Sequence, residues 1–236
     1  MNWQVLVRAL FGDAHDILRS GDVISGTAQL EIGAALQTLA VVGTTDHAAI
    51  GVDTALAQAK VVLETMQHHP GRAILLLVDT QGQRLRHRDE LLCINRYMAH
   101  LGCCVDLARR RGHRVIGLVY DQALSGGFIT SGLMADACYA LPEAEIRVMR
   151  LPAMSRVTKI SEEVLQALSQ TNPVFAPGVA NYVAMGGIQS LWSADLRQSL
   201  IAALNDTNTV DRRAALGAER GGRALAARVA QLVVTA

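Results

Sequence analysis

Apolar residues fall along this chain in two kinds of cluster. The runs 73–78 (AILLLV) and 115–120 (VIGLVY) are of strand length and show no polar alternation. They predict strands buried on both faces, as in a parallel sheet. Residues 36–42 (LQTLAVV) form a third candidate strand, followed by the turn-like GTTDH. Between these runs the spacing changes. Leu56, Ala59, Val62, Leu63 and Met66 recur at helical intervals, predicting a helix over 52–68 that Pro70-Gly71 ends. Leu92, Tyr97, Met98, Leu101, Val105 and Leu107 supply the apolar side of a long helix over 89–110, stopped by Gly112. Residues 79–88 and 121–125 fall out as loops, a helix starts at Gly126 or Gly127, and 139–141 and 146–149 read as short strands. The remainder is helical over 161–169, 177–185, 194–205 and 211–234, the last broken at Gly221-Gly222. Strand, helix, strand, helix, strand implies right-handed crossovers and an α/β layered fold.

The 236 residues contain no Gly-, Ser- or Pro-rich linker and no internal repeat, so the chain is expected to form one domain over 1–236, with 161–236 as a mainly helical C-terminal extension. Half the residues are hydrophobic, enough to offset the ordering entropy that keeps polar chains unfolded. A net charge of +1 argues against nucleic-acid and anionic-membrane partners, which need a basic excess. Only 4% of residues are aromatic, which makes stacking platforms for bases or sugars poor candidates. Residues 164–194 carry no charge and mimic a membrane span, but Asn172, Pro173, Pro177, Asn181 and Gln189 interrupt them, and buried protein interior is the better reading. Arg8 sits inside the short N-terminal apolar stretch, so no signal peptide is expected there. Cys93, Cys103, Cys104 and Cys138 have no metal-ligand spacing and are expected to be reduced core residues of a cytoplasmic protein.

Candidate chemistry concentrates at two strand ends. Ser125-Gly126-Gly127 lies between a buried strand and a helix with no charge before Asp136. Ligands of open α/β sheets bind at the carboxyl ends of strands, where a helix start offers unpaired N–H groups. Two glycines there let a substrate oxygen approach the backbone, as in an oxyanion hole. Close helix–sheet packing through small residues is the competing explanation. The second end, Asp79-Thr80-Gln81-Gly82, feeds a loop with Arg84, Arg86, His87 and Arg88. Gly82 offers a second backbone donor, and the arginines suit bidentate capture of a carboxylate or phosphate. A solvated cluster with Asp89 and Glu90 explains the same arginines equally well. No P-loop, G-x-G-x-x-G or G-x-S-x-G pattern is present. His68-His69 reads as a helix end, His47 as a surface loop residue, Cys103-Cys104 as core, Glu162-Glu163 as a first helical turn and Lys159 as surface.

Taken together, DTQG at 79–82, the long helix, and LSGGF at 124–128 resemble the crotonase (ClpP/crotonase) superfamily, and within it the α-type half of acyl-CoA carboxyltransferases. In those proteins a DTPG and a GSGGA segment each supply one oxyanion-hole N–H. The stretch LPEAEIRVMRLPAMSRVTKI, 141–160, is similar to the γ subunits of biotin-independent malonate decarboxylases. The resemblance spans nearly the whole chain, with DTPG replaced by DTQG and the following glycine-rich loop by QRLRHRDE. It implies a crotonase-like α/β fold with parallel sheet layers. It further implies a carboxy-lyase subunit that, with a homologous β subunit, converts a malonyl thioester on an acyl carrier protein into the acetyl thioester and CO2. By this resemblance Gly82, Gly126 and Gly127 supply the oxyanion-hole donors, and Thr80, Gln81, Arg84, Arg88 and Ser125 contact substrate. The chain itself is expected to bind no cofactor or metal. The substrate rides on the phosphopantetheine-type group of the carrier protein, and an acyl-carrier transferase subunit completes the expected partners. Three alternatives stand beside this: half of a biotin-dependent carboxyltransferase, a Clp- or signal-peptide-peptidase-type hydrolase with Ser125 as nucleophile, and a non-catalytic scaffold.

Overall fold

The computed structural model describes residues 1–170, 178–208, 210–222 and 225–235. The sheet begins with three antiparallel strands, β1 (Leu18–Ser20), β2 (Val23–Ile32) and β3 (Ala35–Thr44). It continues in parallel through β5 (Ile74–Gln83), β6 (Val115–Leu124) and β7 (Ala137–Ala140). The short strands β4 (Ala48–Ile50) and β8 (Glu145–Arg147) pair with the far ends of β5 and β6. Between Val78 and Thr80 the β5–β6 register shifts, and beyond that point each long strand takes its additional short partner within the same eight-stranded sheet. Parallel neighbours require crossovers, supplied by α2 (Val52–His68) and by α3 (His87–Leu91) with α4 (Ile94–Arg110).

The apolar run of β5 is buried on both faces, as its unbroken pattern predicts. Leu75 and Leu77 pack with α1 (Trp3–Phe11), Trp192 and Leu200 on one face; Ile74 and Leu76 pack with Val62, Leu101 and Val105 on the other. After β6 the chain enters α5 (Ser125–Phe128), which runs on as a π-helical turn, Ile129–Leu133. From Ser161 onward the named elements are helices: α7 (Glu162–Leu168), α8 (Val179–Ala184), α9 (Leu196–Asn205), α10 (Arg213–Glu219) and α11 (Ala226–Val234), preceded by α6 (Leu151–Thr158). Helix α9 is not peripheral, because Leu200 and Ala203 complete the core beneath α1.

Several expectations are corrected. The loops placed at 79–88 and 121–125 are largely strand, since β5 runs to Gln83 and β6 to Leu124. Their buried Asp79, Thr80 and Gln122 are polar, and an apolar run therefore ends before the strand does. The helix expected over 89–110 is two helices, because Cys93 takes a left-handed conformation (φ 60°) between α3 and α4. The break leaves Leu91 and Leu92 exposed and Ile94 fully buried. Only two cysteines are core: Cys104 and Cys138 are buried, whereas Cys93 and Cys103 are exposed. Burial pushes the Cys138 thiol up to about 12, leaving it inert as a nucleophile. Among the described residues no helix is long and apolar enough to cross a membrane. Asn172, Pro173 and Pro177, which interrupt the uncharged stretch, lie outside the described residues.

Candidate functional site at the ends of two parallel strands

At the end of β6 the chain turns sharply. Ser125 sits at φ 54°, a left-handed conformation uncommon for a residue with a side chain, and its side chain is exposed. Gly126 is half-buried and Gly127 buried. They stand second and third in the helix, where no preceding helical carbonyl can reach their N–H groups. No other acceptor takes these two groups among the described residues. Nor does the Ser125 hydroxyl have a hydrogen-bond partner among them.

Gly127 has a second role. A Cβ built on it meets Ile50 Cγ1 at 3.0 Å, Thr80 Oγ1 at 3.0 Å and Gly82 Cα at 3.1 Å. The helix start therefore lies directly on β5, and absence of a side chain permits that approach. The two edges of the glycine pair therefore differ: close packing on the Cβ side of Gly127, and N–H groups without an acceptor among the described residues on the other. The Cβ direction of Gly126 is freer, meeting only the flexible end of Met98 at 3.3 Å.

The end of β5 is built differently. Thr80 is fully buried. Its hydroxyl donates to Ala48 O at 2.6 Å and accepts the Gly82 N–H at 2.9 Å. In this structure the Thr80 hydroxyl, expected to contact substrate, bonds within the protein, and the Gly82 N–H, expected as an oxyanion donor, is engaged by it. Gly82 adopts φ 97°, and a Cβ on it would come within 3.0 Å of Ser125 Cβ, so the two exits touch. Gln81 remains exposed beside them.

The arginines after Gly82 have internal partners. Arg84 donates to Asp22 at 2.8 Å, Arg86 to Asp89 at 2.7 Å, and Arg88 to both oxygens of Asp53 at 2.8 and 3.4 Å. Asp89 is fully buried and accepts the N–H of Val52, capping α2 from a different part of the chain. That bond, with the Arg86 guanidinium, holds the Asp89 carboxyl below its usual range. Arg84 and Arg88 thus tie the stretch after β5 to Asp22 and Asp53, and of the three arginines it is Arg86 that bonds the Asp89 of the solvated-cluster alternative.

In the sequence, Asp79 stands in the DTQG segment with no role given to its side chain. Asp79, 3% exposed, accepts the backbone N–H of His47 at 2.9 Å and of Gln122 at 3.3 Å. Burial raises its pKa, opposed by these bonds and by the His47 ring. His47 Nε2 lies 3.5 Å from Asp121 and 3.9 Å from Asp79. Their ligand atoms all fall within 4.8 Å of one another, the composition of a possible metal site, but the imidazole lies within ion-pair range of both carboxylates. His47 is accordingly a loop residue with a buried neighbour. Separations of 32 residues or more within this group gave no local spacing signal.

Comparison with known proteins follows the same lines. A sequence model described as the malonate decarboxylase gamma subunit matches residues 45–236. A Malonomonas rubra protein named malonyl-S-ACP:biotin-protein carboxyltransferase is 33% identical over 174 residues, covering 67% of this chain and 60% of the relative. The chain therefore spans about 60% of that relative's length. A Pseudomonas malonate decarboxylase hetero-tetramer, solved in complex with coenzyme A, contains a chain that superposes with TM-score 0.79 at 25% identity, over 98% of this chain and 97% of that one. The transcarboxylase 12S core superposes with TM-score 0.70 at 19% identity, over 86% of this chain and 41% of that one, a likeness of fold alone. The crotonase-like α/β fold expected from the sequence is the fold observed.

Proposed function

This chain belongs to the family of malonate decarboxylase gamma subunits, and from that premise we propose that, with a homologous β subunit, it decarboxylates a malonyl thioester held on the phosphopantetheine-type arm of an acyl carrier protein. The observation that carries the reading is the pair of open amides at Gly126 and Gly127, at the carboxyl end of β6 and beside the exposed Ser125. When the bond between the α-carbon and the carboxylate breaks, CO2 leaves and the electron pair moves into the thioester as an enolate. Negative charge grows on the thioester oxygen, so a backbone donor aimed there stabilises the transition state more than the bound substrate. Protonation at the α-carbon then gives the acetyl thioester. One such donor is worth on the order of 3 kcal/mol. A side-chain nucleophile has no part in this chemistry, in keeping with the unpartnered Ser125 hydroxyl.

The surface supports a companion subunit, as the family does. Val229, Leu232, Val233 and Val234 of α11 are all more than half exposed, and none of its described residues is buried. The Pseudomonas relatives are a hetero-tetramer and a hetero-dimer, which supports an obligate partner here. An acyl-carrier transferase subunit would supply the malonyl thioester, and this chain would bind no cofactor of its own.

A second reading is favoured by the name of the Malonomonas relative, which passes the carboxyl group to a biotin protein. The enolate step is common to both readings; only the fate of CO2 differs. The chain and its companion, purified together, should release CO2 and acetyl thioester from a malonyl carrier protein with no biotinylated protein present. A strict requirement for a biotinylated carrier would establish the second reading. Full turnover by this chain alone would overturn the need for a partner.

A further inference from the structure

Of the two open amides, that of Gly127 has its carbonyl side, Gly126 C=O, held by a side-chain hydroxyl. Thr130 Oγ1 donates towards Gly126 O at 3.2 Å and Gly127 O at 3.3 Å, while Ser131 Oγ donates to Gly127 O at 2.6 Å. Both come from the π-helical turn, in which the Met134 N–H reaches back to Ile129 O. Gly126 C=O and Gly127 N–H are the two ends of one peptide group. A hydrogen bond at the carbonyl polarises that group, strengthens its N–H as a donor and holds its plane. Ser131 acts only on the next peptide group, whose N–H belongs to Phe128.

We propose that Thr130 is a positioning residue for the decarboxylation, its hydroxyl orienting and polarising the Gly126–Gly127 peptide group whose N–H meets the developing oxyanion. The proposal rests on the oxyanion reading of this site. Its rival is ordinary back-bonding of Ser and Thr inside a helix, which is structural only. The two make opposite rankings. Ser131 is buried and makes the shorter bond, whereas Thr130 is half-buried. A structural role makes Ser131 the more sensitive position; the proposal makes Thr130 the more sensitive one in turnover.

The test uses the complete complex and a malonyl carrier protein. Because Thr130→Val weakens a donor without removing it, kcat should fall about three- to tenfold with KM unchanged, well short of the loss for a deleted donor. Thr130→Ser should restore kcat to within about twofold, and Ser131→Ala should lower the melting temperature yet keep kcat within about twofold. A wild-type kcat for Thr130→Val, or a loss that Thr130→Ser does not repair, overturns the proposal. A second measurement does not depend on turnover. With [15N]glycine in the complex, Thr130→Val should move the Gly127 amide proton upfield and leave Gly82 in place; an unmoved Gly127 signal overturns the proposal. Should that signal move in a complex whose wild type releases no CO2, the role of Thr130 stands and the decarboxylase reading fails.

Discussion

The exits of β5 and β6 begin alike and end differently. Each leaves a buried parallel strand, each carries glycine, and the two meet where Gly82, Thr80 and Gly127 touch. At β5 the spare N–H of Gly82 is closed by the Thr80 hydroxyl, and the arginines beyond it are paired with Asp22, Asp89 and Asp53. At β6 the N–H groups of Gly126 and Gly127 have no acceptor among the described residues, while the carbonyls of the same two residues are held by Thr130 and Ser131. The first exit is a platform, and the second rests on it with two N–H groups that have no acceptor among the described residues. Two glycines near strand ends can thus differ in whether a neighbouring side chain already satisfies the N–H.

The contact between the exits is the most sensitive point. Gly127→Val would press a branched side chain into Thr80, Ile50 and the Gly82 backbone. Overpacking against such rigid neighbours should cost about 3 kcal/mol, lower the melting temperature and abolish turnover. Normal activity and stability would show that the platform gives way easily, and would break the comparison.

Asp89 tests the platform alone. Asp89→Ala leaves the Val52 N–H and the Arg86 guanidinium unpaired, for an expected loss of about 1–3 kcal/mol in denaturant unfolding at neutral pH. The folded-state pKa of Asp89 lies below its unfolded value. Its contribution is thus present above the ordinary carboxylate pKa of about 3.9 and is lost as pH falls through the folded value. The gap between wild type and variant should narrow on acidification below about pH 4. A gap constant from pH 7 to pH 3 would remove the charge from the explanation.

Ser125 tests the donor exit. Ser125→Gly should raise stability by about 1 kcal/mol, because glycine meets no penalty at φ 54°. Ser125→Ala should keep turnover within severalfold of wild type. A hydrolytic serine predicts instead a loss of at least about a thousandfold. Arg88→Ala should have the smallest effect: its pair with Asp53 is exposed on both sides, so melting temperature and KM should hardly change. A raised KM would return Arg88 to the role of holding a substrate carboxylate.

Much of this protein follows from local pattern. The unbroken runs at 73–78 and 115–120, the 3.6-residue spacing of 52–68 and the SGG segment at a strand-to-helix junction are one-dimensional signals. They mark α2 with the residues that bound it, Val52–His68, and single out the start of α5 as the candidate site. Tertiary structure decided what pattern cannot carry. Strand β2 and the far halves of β5 and β6 are strands because of their pairing partners, and the polar residues buried there look like loop when partners are unseen. The same reason separates Gly82 from Gly126 and Gly127. Sequence shows which residues lack a side chain, but whether an N–H is already satisfied depends on atoms brought close by folding, as Ala48 holds Thr80 across 32 residues.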